Sequence, residues 1–260
     1  MTIAACLKWL RPADADDRFG GISPADASAL ELALRLGGAR NEPVIAMTLG
    51  PSAADDALRA ALAAGATRAV RVDAAADLDS SDVAAALAAI AMGSSFVCCG
   101  DMSLDRGSGS VPAFLAALLD ARQALGLIEV TVEGADLVGV RRLDGGRRER
   151  LRVVGPAVVS VEGATAPLRR APLSSTLAAR TAPIEIVAGP TLHARPVTIR
   201  PYRPRARVLA APSGETALDR VQALLDSGTA VVAHGSTVAL EPPAAAERIL
   251  AALHEWGYLE

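Results

Sequence analysis

Four short apolar runs, each followed by an Ala-rich stretch of helical period, fill the first 120 residues and leave few folds open. TIAACLKW, EPVIAMTLG, TRAVRV and SSFVCCG read as strands. SPADASALELALRL, GPSAADDALRAALAAGA, DSSDVAAALAAIA and VPAFLAALL read as the helices that follow them. Parallel strands need a crossover of about a dozen residues or more, and a helix supplies it. The expected fold is therefore α/β: a doubly wound, mostly parallel sheet covered on both faces. Helix ends carry their own signals. Ser23 is expected to cap the first helix, with Pro24 at its first position and Asp26 three residues after the cap. Ser52 is expected to cap the second helix and Gly65 to stop it. With 51% apolar residues and only 3% aromatic ones, the core must be built from Ala, Val, Leu and Ile.

The texture changes after residue 120. LIEVTVEG, ADLVGVRRLDGG, RRERLRVV and GPAVVSVEG alternate in short runs broken by turn residues, which reads as a β-meander with a hairpin at Asp144-Gly145-Gly146. A Pro/Arg-rich connector, RPVTIRPYRPRARV, is expected to be an extended arm, because its prolines disfavour a central strand. ETALDRVQALLDSG and PPAAAERILAALHEWGYLE then read as helices flanking a short strand, TAVVAHG. The expected division is a nucleotide-binding domain at 1–190 and a C-terminal arm with two helices at 191–260.

A net charge of −3 provides no general drive toward nucleic acid or a membrane surface. Three cysteines, Cys6, Cys98 and Cys99, fall in the expected strands without any CxxC, so buried free thiols in a reducing cytoplasm are expected. No run is long and apolar enough for a signal peptide or a membrane span, so the chain reads as soluble.

The most informative stretch is CGDMSLDRGSGS, which follows the fourth strand and leads into the fourth helix. Ligands of open parallel sheets bind beyond the carboxyl ends of the strands, near helix N-termini. Gly107 and Gly109 let backbone N–H groups approach an anion, and Ser108 and Ser110 add hydroxyls. Asp101 and Asp105 would repel a polyphosphate unless they bind ribose hydroxyls or cap turns, so one phosphate fits better than three. Neither GxGxxG nor GxxxxGK[ST] is present. On these residues alone, a phosphate cradle and a ligand-free turn stand level.

Catalytic constellations are scarce. His193, His234 and His254 are isolated, without metal-ligand spacing, and neither GxSxG nor HExxH occurs. Asp14, Asp16 and Asp17 read as a solvated loop. Six arginines (Arg141, Arg142, Arg147, Arg148, Arg150 and Arg152) surround one hairpin, either solvated or as a docking edge for an acidic partner. Nucleic-acid readout is disfavoured because aromatics are not interleaved.

Several segments, in order over residues 3–186, resemble the β subunit of electron-transfer flavoproteins: IAACLKW, SPADASALELALRL, VIAMTLGPSAADDALRAALAAGATRAVRV, FVCCGDMSLDRGSGSVPAFLAALL and the RRLDGG…VVGPAVVSVEG pair. The resemblance implies an adenine-nucleotide α-hydrolase-like fold. It implies a subunit that holds AMP without side-chain catalysis and pairs with an α subunit bearing FAD, accepting electrons from a dehydrogenase. Carried onto this chain, the AMP contacts would be Cys6, then Ser23, Pro24, Ala25 and Asp26, then Leu49. The loop completes the set: Gly100, Asp101, Met102, Ser103, Leu104, Asp105, Arg106, Gly107, Ser108, Gly109, Ser110 and Val111. The family's exposed leucine, which anchors partner dehydrogenases, falls on Leu173. No metal is implied.

The chain departs from that pattern in places. The loop between Lys8 and Ser23 is short, Ser23 replaces an asparagine, and Arg106-Gly107 stands where acidic residues are common. Arg142 also replaces a frequent acidic residue, and the C-terminal arm is longer. This elongated, Arg-rich form is similar to divergent members linked to the mycofactocin redox system. The alternatives are a stand-alone adenine-nucleotide sensor of the universal-stress type, and a bifurcating flavoprotein with FAD in place of AMP.

Overall fold

The computed structural model describes residues 1–10, 20–75, 78–189, 214–226 and 238–259. The chain divides into two units, residues 1–195 and 196–260. In the first, strand and helix alternate as β1 (Thr2–Cys6), a two-residue ribbon β2 (Trp9–Leu10) with β3 (Gly21–Ile22), and α1 (Pro24–Arg40). There follow β4 (Val44–Gly50), α2 (Asp55–Ala64), β5 (Arg68–Asp73), α3 (Ser80–Ala91), β6 (Ser94–Gly100) and α4 (Val111–Leu118). Then come β7 (Arg122–Glu133), β8 (Asp136–Arg142), β9 (Arg148–Val153), β10 (Ala157–Val161), α5 (Leu173–Ala179) and β11 (Glu185–Ala188). Among the described residues nine strands form one sheet in the order β11-β5-β4-β1-β6-β10-β7-β8-β9. Pairing is parallel from β11 to β7 and antiparallel from β7 to β9.

The strand alternation sorts the core into two layers. Ile3 and Ala5 of β1 pack with Phe96, Cys98 and Val159 beneath the apolar faces of α1 and α2. Ala4 and Cys6 point the other way, with Val97, Cys99 and Val158, toward Leu87 of α3 and Leu115 of α4. Each central strand is thus apolar on both faces, as a parallel sheet with helices on either side requires. This is the doubly wound α/β architecture expected.

Local signals located most element ends. Ser23 accepts a hydrogen bond from the Asp26 backbone N–H at 3.0 Å, Pro24 is the first residue of α1, and Gly65 closes α2 with φ of +121°. Ser52, however, makes no capping bond. It opens a short 3-10 turn (Ser52–Ala54) that leads into α2. Helix α1 also runs past Leu36 to Arg40 before Asn41 ends it in a left-handed conformation. Gly37 sits where this last turn meets β4: a Cβ there would lie 2.5 Å from Val44 Cγ2 and 2.9 Å from the Glu42 carbonyl oxygen. Gly37→Ala is therefore expected to destabilise the chain by about 1–3 kcal/mol despite the better helix propensity of alanine. A lower denaturant midpoint at unchanged slope checks this.

The meander reading needs one correction. β7, β8 and β9 form it, with Asp144–Gly146 as the hairpin between β8 and β9, but GPAVVSVEG does not add a fourth antiparallel strand. Its strand, β10, re-enters the sheet between β6 and β7 and pairs parallel with both. All five residues of β10 are buried, so both faces need the interior and an edge position would waste them. The short β11 and α5 were not read from the sequence.

The arginines of the meander are paired across strands. Arg141 meets Glu149 at 2.6 Å, Arg148 meets Glu129 at 3.3 Å, and Arg152 meets Glu133 at 3.0 Å. Arg142 contacts Glu162 at 3.2 Å. The basic cluster is thus a ladder of exposed ion pairs along an edge strand, a charged pattern that discourages edge-to-edge pairing.

In the second unit, Ala217–Asp226 is α6 and Pro242–Glu255 is α7. Thr216 and Asp219 exchange bonds at the start of α6, Thr216 N–H donating to Asp219 Oδ2 at 3.0 Å and Asp219 N–H to Thr216 Oγ1 at 3.2 Å. His254 lies in the last turn of α7. The Pro/Arg-rich arm, the TAVVAHG strand, His193, His234, and Asp14, Asp16 and Asp17 lie outside the described residues. No helix among the described residues is long and apolar enough to cross a membrane.

Candidate functional site

The carboxyl ends of β1, β4 and β6 lie side by side, and the N-termini of α1, α3 and α4 converge above them. A cleft of about 810 Å³, counted to its open mouth, occupies this junction. One wall is apolar, from Leu49, Val83 and Leu87. Opposite it runs the loop of residues 101–110.

That loop is tied down at many points. The Asp101 N–H donates to the Val161 carbonyl at 3.0 Å, and the Gly107 N–H donates to Ser103 O at 2.8 Å. Asp101 and Asp105 cap turns within the loop, accepting from the Met102 and Arg106 amides at 2.9 Å each. Arg106 Nη1 reaches across to the Leu78 carbonyl at 2.7 Å, and Ser108 Oγ lies 3.3 Å from Ser80 Oγ at the start of α3. Lys8 Nζ, the only lysine in the chain, meets Asp105 at 2.6 Å. Burial pushes the Asp105 carboxyl up, but the Lys8 ammonium and the Ser103 hydroxyl outweigh it and hold the group below the usual carboxylate range. The stretch is a braced loop, not a slack turn.

Asp26 forms part of the cleft floor. Burial pushes its carboxyl up to about 6, against the opposing hydrogen bonds from the Lys8 backbone N–H, Ser23 and the Gly100 N–H. Gly100 must lack a side chain here, since a Cβ would lie 2.7 Å from Asp26 Oδ1. At Ser110 the N-terminus of α4 has no side-chain cap, so its first N–H groups and its positive dipole end are left to the cleft.

Of the residues expected at the site, Cys6, Asp26, Leu49, Gly100, Asp101, Met102, Ser103, Arg106, Ser108, Gly109, Ser110 and Val111 line the cleft. The others stand behind it. Ser23 and Ala25 are buried in the start of α1, Pro24 faces outward, Leu104 is exposed, Asp105 holds Lys8, and Gly107 shapes the turn. Sequence reasoning missed Lys8, Leu7, Leu78, Ser80, Val83, Leu87, Cys99 and Pro112. A single lysine beside so many arginines was the signal for the first. Nothing local marked the α3 residues.

Away from the cleft, α1 braces the loop that leads to α5. Glu31 is buried and accepts from the Arg169 backbone N–H at 3.1 Å and from its Nε at 2.9 Å. Burial raises the Glu31 carboxyl, but Arg169 and Arg35 outweigh it and leave it lowered. Arg59 Nη1 fixes the other end through the Ala179 carbonyl at 2.8 Å. Leu173, the first residue of α5, is 73% exposed on this pinned segment.

Among the described residues, no group of three or more His, Cys, Asp or Glu side chains could hold a metal ion. Burial pushes the Cys98 thiol well up, and at Cys6 the hydrogen bond with Cys99 does so, with burial second. The cleft therefore offers N–H groups, hydroxyls, one buried carboxyl and an apolar wall, which suits a ligand with a flat ring and an anionic end.

No curated protein matches the chain. A family model described as the electron transfer flavoprotein domain matches residues 15–192, a span that includes α1 through β11 and the whole 101–110 loop. Proteins of that family act in electron transfer with partner subunits. A doubly wound sheet with its cleft at the strand ends, matched by the model along most of its length, thus belongs to the electron transfer flavoprotein domain family.

Proposed function

We propose that this chain is the β-type subunit of a heterodimeric electron transfer flavoprotein, holding AMP in the cleft and pairing with an α subunit that carries FAD. The observation that carries the reading is the braced, Gly/Ser-rich loop at the strand ends, facing an apolar wall. Leu49, Val83 and Leu87 would flank the adenine, and Asp26 would meet ribose hydroxyls. The loop amides with Ser108 and Ser110 would hold the phosphate. Asp101 also lines the cleft, and its negative charge disfavours more than one phosphate.

The chain's own part is positioning. AMP supplies no redox chemistry, whereas FAD, when bound by the partner, accepts and releases the electrons. Leu173, exposed at the start of α5 and held by the Glu31–Arg169 brace, is the proposed anchor for the electron-donating dehydrogenase. The longer arm beyond residue 190 is proposed to add contact with the α subunit.

The test is co-expression with an α-type partner, followed by mass spectrometry of the ligand released on denaturation. A yellow heterodimer releasing AMP and FAD in equal amounts is expected. Release of FAD alone, at two per heterodimer, would replace AMP with a second flavin. A colourless, nucleotide-free monomer would overturn the proposal.

A further inference from the structure

β1 and β6 run parallel with Ala5 opposite Cys98, so one step further along each strand sets Cys6 beside Cys99. Their side chains share one core layer, and both line the cleft. They are otherwise enclosed, at 7% and 4% exposure, so the cleft is their route to solvent. Cys98, although adjacent in sequence to Cys99, points into the opposite core layer among α1 and α2 residues. The alternation of the strand thus selects one pair out of three thiols.

We propose that Cys6 and Cys99 form a redox-active dithiol in the cleft wall, which a small hydroperoxide oxidises to an intrachain disulfide. One thiolate attacks the peroxide oxygen, and water leaves as a sulfenic acid forms. The second sulfur then displaces the sulfenic hydroxyl as the S–S bond closes. Two thiols and one hydrogen peroxide give one disulfide and two waters. This step needs no nucleotide and goes beyond the electron-carrier role.

Geometry also permits the bond. Neighbouring strands lie about 4.8 Å apart, within the roughly 4.4–6.8 Å that Cα atoms span across a disulfide. Because the Cys6 thiol is held well above its ordinary range, oxidation is slow at neutral pH. It should speed up about tenfold per pH unit as thiolate forms.

The test is hydrogen peroxide treatment of the full chain, read by intact mass and peptide mapping. Loss of the two thiol hydrogens and a Cys6–Cys99 peptide are expected in the wild type and in Cys98→Ser, with full reversal by dithiothreitol. Neither Cys6→Ser nor Cys99→Ser should give that peptide. A cross-link through Cys98, a covalent dimer, sulfinic acid without a cross-link, or three thiols left free in the wild type would each overturn the proposal.

Discussion

Gly109→Val should abolish nucleotide binding while leaving the fold intact. Gly109 has φ of +57°, a region that β-branched residues avoid, and a Cβ there would lie 2.7 Å from the Asp101 carbonyl oxygen. That oxygen belongs to backbone whose N–H is fixed to Val161, so the loop cannot retreat without breaking its own anchor. A loss of AMP affinity of about 100-fold or more, roughly 2.7 kcal/mol, is expected by calorimetry. Gly107→Ala provides the contrast. Gly107 also has positive φ, at +63°, but open space around its Cβ position, so only the backbone strain of about 1–2 kcal/mol applies. Undiminished AMP binding by Gly109→Val would mean that the loop is not the cradle.

The second large effect concerns pH. Asp26 keeps its proton in the folded chain up to about pH 6, whereas the unfolded chain releases it near the ordinary aspartate value. Between those two points the native state binds more protons. Its stability therefore falls as pH rises through the window, by about 3 kcal/mol in total, and is flat above it. Asp26→Asn cannot titrate and should lack that slope. The difference between wild-type and variant unfolding curves over about pH 4 to 7 isolates the contribution, because Glu31 and Asp105, which are lowered, titrate alike in both. Parallel curves would show that the carboxyl is not held protonated.

Much of this architecture could be read from short stretches. The bounds of β6 and the start of α1 followed from local features: a short apolar run, Ser23 and Pro24. Such signals act over one helical turn, and so they survive without tertiary information. The signals failed where a distant partner decides the outcome. The place of β10 depends on β6 and β7, strands separated from each other by the entire α4 segment. The site shows the same division. Its glycines and serines are contiguous and visible, whereas Lys8 reaches Asp105 across 97 residues of sequence. Leu78, Ser80, Val83 and Leu87 enter because α3 packs beside α4, which no local pattern announces.

The insertion of β10 between β6 and β7 has a consequence for the order in which the chain is made. Synthesis from the N-terminus completes β1, β4, β5 and β6 well before residue 157, and β6 then waits with one side open. The Asp101 amide, which fixes the root of the loop, finds its acceptor only when Val161 arrives. The cleft is therefore assembled late, by a strand that itself contributes no residue to its walls. A nascent chain ending before residue 161 would carry every side chain that lines the cleft and still lack the bond that roots its loop.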